Sequence, residues 1–173
     1  MSAKENILYS LTRSRRMLDG LIDSMNSPED WVYQACPNAN HPLWVVGHLG
    51  LADNMFLSKL DESQGSKPEG WDELFWFGSE VHADAGKYPS PEETIAYCRE
   101  RRQKLTATIE NLPEEFFQQA TPDEGMFADA PNMAAMLEFI PYHEGVHSGQ
   151  FTIAHRGLGN EPMLKPEPQQ AAS

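Results

Sequence analysis

Cysteine is scarce in this chain: Cys36 and Cys98 are the only two in 173 residues, far apart and without C-x-x-C spacing. A disulfide framework is therefore not expected, and the two thiols read as reduced groups of a cytoplasmic protein. Positive charge is short as well, with 13 Lys and Arg against 26 Asp and Glu and a net charge of -13. Such an excess repels phosphate backbones, so nucleic acid is not an expected partner. The nearest basic cluster, Arg99, Arg101, Arg102 and Lys104, reads as a partly solvated helix face. Long apolar runs are missing: no segment approaches the roughly 20 residues that span a bilayer, so no membrane partner is expected. The first residues, Met1 to Asn6, carry no apolar stretch of the kind a secretory leader needs. No convincing strand pattern occurs, and repeats and low-complexity tracts are absent outside the tail.

What remains is a soluble, all-α composition, with 40% hydrophobic and 23% charged residues. Four stretches carry apolar residues at helical spacing. The first runs from about Lys4 to Met25 and stops at Ser27-Pro28. The second opens at Pro42, capped by Asn40 or His41, and carries Trp44, Val45, His48, Ala52, Met55 and Phe56 on one stripe. The third follows a capping-box string, Ser90-Pro91-Glu92-Glu93, with Ile95, Cys98, Arg102, Leu105, Ile109 and Leu112 on its seam. A fully buried arginine is rare, so Arg102 reads as solvated or snorkelling. The fourth runs from about Pro131 to His155 and is closed by Gly157 and Gly159. The expected architecture is a four-helix bundle over residues 1–160, followed by a flexible tail at 161–173.

Helices two and three are separated by roughly Asp61 to Pro89, a long connection holding Trp71, Phe75, Trp76, Phe77 and Tyr88. That many aromatics belong to a segment packed on the bundle, with a short helix near Trp71 to Phe77, and the length permits a crossover.

The string His143-Glu144-Gly145-Val146-His147 matches H-E-x-x-H, in which two histidines one helical turn apart hold zinc and the glutamate serves as base. The pair shares the inward sector of its helix with Met136, Ile140 and Ala154. His48 lies on the inward stripe of helix two. Three inward histidines are best explained by one site, and three imidazoles with an open fourth position are the ligand set of a catalytic zinc centre. A peptidase lacks its third ligand here, since Ile153 and Gln150 stand where the extended motif requires histidine and glycine. Glu144 could touch a metal-bound water or face solvent. Trp44 and Gln150 flank the ligands, as pocket walls or as a core residue and a hydrogen-bond partner to a ligand ring. His41, His82 and His155 have no assigned place; His82, in the connection, could reach the site, but a surface role is favoured for it. Gly145 and Gly149, each costing roughly 1 kcal/mol in a helix, suggest a close approach by another helix, the connection or a second subunit.

Leu43-Trp44-Val45-Val46-Gly47-His48-Leu49 and His143-x-x-x-His147-x-Gly149-Gln150 together resemble the DinB/YfiT-like superfamily of metal-dependent four-helix-bundle proteins, over nearly the whole chain. The resemblance implies that His48, His143 and His147 bind a divalent metal, zinc or nickel. It further implies a transferase or isomerase using a low-molecular-weight thiol such as bacillithiol or mycothiol, on a small-molecule substrate, and points weakly to a homodimer. A metal-containing protein that binds a small ligand without catalysis is the competing expectation, and a metallopeptidase the third. The damage-inducible name carries no DNA role, and the acidic charge argues against one.

Overall fold

Capping chemistry sets where each long helix begins. Ser2 and Glu5 form a reciprocal capping box ahead of α1 (Ala3–Asp23). In α2 (Pro42–Leu60) the cap is His41, whose Nδ1 accepts the Trp44 N–H at 3.0 Å, with Pro42 in the first turn. A short α3 (Trp71–Phe75) follows within the aromatic connection. Ser90 accepts the Glu93 N–H at the start of α4 (Pro91–Asn111). Asn132 caps α5 (Met133–Gly157), which continues through Pro141 and gives way to Gly159 at φ 86°. This computed structural model describes residues 1–122 and 125–163, and among them no strand occurs. The chain is all-helical. The flexible-tail expectation falls largely on residues 164–173, outside the described residues.

α2 packs mainly on α4 and also on α5, while α1 packs mainly on α5 and also on α4. The apolar interior divides into two clusters. One holds Leu18, Leu21, Leu43, Val45, Trp71, Phe75, Cys98 and Phe151. The other holds Ile7, Leu11, Phe56, Leu105, Ile109, Phe117 and Leu137. On each long helix a polar level separates them: Arg15 on α1, Asp53 on α2, Arg102 on α4 and Glu144 on α5, all buried. Every fully buried Leu or Phe is worth roughly 1.5–3 kcal/mol of transfer free energy. The charged level forgoes that gain and can persist only if its groups satisfy one another.

Several sequence expectations change here. Arg102 is neither solvated nor snorkelling: it is 5% exposed, because two carboxylates receive it inside the protein. Arg101 is buried too, donating to the Gln64 carbonyl at 3.0 Å, while Arg99 pairs with Asp19 and Asp23 of α1. Two of the cluster's four residues, Arg101 and Arg102, are thus internal, while Arg99 and Lys104 keep the partly solvated face. His41 and His155 are buried, whereas His82 stays partly exposed beside Glu80 and Lys87. Among the described residues a Cβ placed on Gly145 or Gly149 would meet nothing within 4 Å, so no close approach by them explains these glycines. In the aromatic connection Trp71, Phe75 and Tyr88 are buried, but Phe77 is 88% exposed. No helix among the described residues is long and apolar enough to cross a membrane.

Candidate metal centre

Helix periodicity places His143 and His147 one turn apart on α5, and the packing of α2 on α5 brings His48 opposite them. The Nε2 atom of His143 lies 3.2 Å from that of His48 and 3.0 Å from that of His147. One ligand atom from each ring lies within 4.8 Å of the others.

Each ring is held from behind. The Nδ1–H of His48 donates to the Phe75 carbonyl at 2.9 Å. Gly47 makes this reach feasible, since a Cβ there would collide with the Phe75 ring. Trp44 stacks on the His48 imidazole, 4.6 Å between centroids and 10° between planes, and its Nε1–H donates to Ser79 Oγ at 2.8 Å. His147 Nδ1–H donates to Gln150 Oε1 at 2.9 Å, and the same oxygen accepts from Asn40 Nδ2 at 3.1 Å. Phe139, one turn before His143, stacks on that ring at 5.3 Å.

These partners settle the ring protons. A carbonyl only accepts, so His48 carries its hydrogen on Nδ1 and presents a lone pair at Nε2. The bond to Gln150 does the same for His147. His143 has one ring hydrogen at most when neutral, and cannot fully satisfy both lone pairs facing it. Burial pushes the His48 imidazole from 6.5 to about 3, with the neighbouring His147 adding to the effect. His143 falls to about 4 for the same two reasons, and burial also lowers His147. The three rings are therefore neutral near pH 7, the state in which imidazole binds metals.

The residues present fit a divalent ion. Two nitrogens bound tetrahedrally at about 2.0–2.1 Å stand roughly 3.3 Å apart, close to the spacings between these rings. Nδ1 bonds to a carbonyl and an amide oxygen are the usual outer support of metal-ligating histidines. A cavity of about 700 Å³ opens beside the rings, walled by Trp44, Met55, Trp76, Phe77, Phe139 and Gln150 among others. Trp44 and Gln150 both border this cavity, and each also contacts a histidine ring.

Glu144 does not join them. It is fully buried and absent from the cavity walls. Its Oε2 accepts from Arg102 Nη1 at 2.9 Å and from Ser14 Oγ, and Arg15 Nε lies 2.8 Å from Oε1, off the hydrogen-bonding direction. Asp53 completes the group, bridging Arg15 Nη2 at 2.9 Å and Arg102 Nη2 at 2.8 Å. Cys98 Sγ accepts from Arg15 Nη1 at 3.1 Å, and burial pushes this thiol up. Burial opposes the charge on Arg15, but Cys98, Asp53 and Glu144 hold its pKa above the ordinary range.

Sequence reasoning missed several of these parts. The Phe75 carbonyl is a backbone group and leaves no trace in side-chain type. Asn40 reads from the sequence only as a candidate cap. Arg15 did leave a signal, because it interrupts the stripe between Leu11 and Leu18 as Arg102 interrupts that of α4.

Comparisons with known proteins agree with this architecture. A solved structure from Enterococcus faecalis, described as the conserved protein of a locus, superposes with a TM-score of 0.63 at 15% identity. The match covers 92% of this chain and 99% of that one, and at such identity it speaks to the fold alone. No curated protein matches the chain. The family model described as the DinB superfamily matches residues 10–151, a span that includes His48, His143 and His147. The chain belongs to the DinB superfamily.

Proposed function

We propose that His48, His143 and His147 hold a divalent metal ion, zinc or nickel, in a single domain over residues 1–160 whose four long helices form a bundle with an aromatic crossover. The observation that carries the reading is the set of neutral rings with Nε2 atoms 3.0 and 3.2 Å apart and Nδ1 atoms bonded to Phe75 and Gln150. Bound there, the ion would supply Lewis-acid activation of a thiol or a water. On this reading the protein is a metal-dependent enzyme acting on a small molecule, with transfer or isomerisation using a low-molecular-weight thiol as its chemistry.

The chain's own residues do the positioning. Trp44 and Phe139 fix ring planes by stacking, Gln150 and the Phe75 carbonyl fix the tautomers, and Trp76 and Phe77 give the cavity apolar walls. A non-catalytic metal-containing binding protein uses the same site, and turnover separates the two. The metallopeptidase reading loses its base, because Glu144 is committed to Arg15 and Arg102. A homodimer is supported by the exposed face of α5, where Tyr142, Val146 and Ile153 accompany Gly145 and Gly149.

Metal analysis of the purified chain and of His48→Ala tests the premise. About one zinc or nickel per chain is expected, with retention in His48→Ala reduced by at least roughly tenfold on loss of one of three ligands. Undiminished metal in His48→Ala would sink the three-histidine site. Screening small thiols with electrophiles then divides enzyme from binder.

A further inference from the structure

Building on the three-histidine reading, we infer that the adjoining cavity takes a ligand with a single donor atom for the metal and an uncharged, largely apolar body. The walls carry the argument. Among the described residues no Lys or Arg lines the cavity, and the one ionisable residue besides the histidines is Glu80. Trp44, Met55, Trp76, Phe77, Val81 and Phe139 supply its apolar faces.

Some of the polar wall atoms are already engaged. Ser79 Oγ accepts from Trp44 Nε1 and donates to the Leu74 carbonyl at 3.1 Å. Gln150 Oε1 accepts from both Asn40 and His147. A ligand carboxylate or phosphate beyond the metal would meet no cationic side chain among the described residues, only the neutral amides of Asn38, Asn40 and Gln150. Leaving a charge unpaired in an apolar site is unfavourable unless water reaches it. Glu80 and the net charge of -13 add repulsion.

The mouth points the same way. Phe77 and Met126 are 88% and 70% exposed, and both border this cavity. Large apolar side chains left in water beside an apolar cavity gain most when a ligand of the same character covers them. At about 700 Å³ the cavity has the size of a small-molecule site. An anionic donor atom is compatible with the site, since the metal neutralises it. A second, remote anion is not.

Isothermal titration of the zinc-loaded full chain with 2-phenylethanethiol and with mercaptosuccinate tests the inference. Both offer one thiol, but only the second carries carboxylates on its body. The expected result is binding of 2-phenylethanethiol tighter by at least about tenfold, a difference of about 1.4 kcal/mol. Val81→Lys, which puts a cation on the wall, is expected to narrow or reverse that preference. Equal or tighter binding of mercaptosuccinate to the unaltered chain overturns the inference and leaves the metal reading intact. A parallel titration of metal-free chain with 2-phenylethanol and succinate separates the two ideas. A chain that cannot be loaded with zinc yet prefers 2-phenylethanol to succinate loses the metal reading alone. Binding of neither apolar probe in either form overturns the apolar-ligand inference.

Discussion

His41 shows how one side chain ties local structure to pH. It is fully buried against Tyr88, and its Nδ1 caps α2 only while the ring is neutral. Burial pushes its pKa from 6.5 down to about 4. Between those values the unfolded chain takes up a proton that the folded chain refuses. This contribution to stability is therefore complete above 6.5 and is lost as pH falls toward about 4. His41→Asn keeps a capping acceptor without that titration. Thermal unfolding of the metal-free chain, followed by circular dichroism across this range, should show a shallower pH slope in the variant. An unchanged slope would mean that His41 does not titrate as its burial requires.

At the scale of elements, the ionic level locks the long helices in register. Asp53 on α2 receives Arg15 from α1 and Arg102 from α4, and Glu144 on α5 receives the same two arginines. Because Glu144 lies between His143 and His147, this pairing also opposes rotation of α5 away from His48. Removing one carboxylate leaves buried guanidinium charge without its partner. Asp53→Ala should therefore cost about 3–5 kcal/mol in denaturant unfolding. A loss within 1 kcal/mol, roughly that of an exposed ion pair, would show that the group contributes no more than a surface pairing does.

For the whole molecule, the outer face of α5 is the unresolved surface. Among the described residues Gly145 and Gly149 face open space, so no contact there offsets their conformational cost, while Tyr142, Val146 and Ile153 stand exposed around them. Docking of a second copy would use both features. Sedimentation at micromolar concentration should give a dimer for the natural chain and a monomer for Ile153→Lys. A monomeric natural chain would exclude the homodimer.

The helices and the histidine site were legible in the sequence because both rest on short-range geometry. Helical spacing reports a buried stripe, an i,i+4 pair reports a shared face, and His48 sits on its own inward stripe. Partners that converge only on folding were not legible. Arg102 reads as solvated in isolation because its carboxylates, Asp53 and Glu144, lie 49 and 42 residues away. Glu144 fits a peptidase string because the string is local, whereas the direction of its carboxylate is set by Arg15 and Arg102 on other helices. Local sequence thus specified the helical elements and the candidate ligands. Packing chose which charged groups became internal partners, since a buried charge is tolerated only where the fold brings it an opposite one.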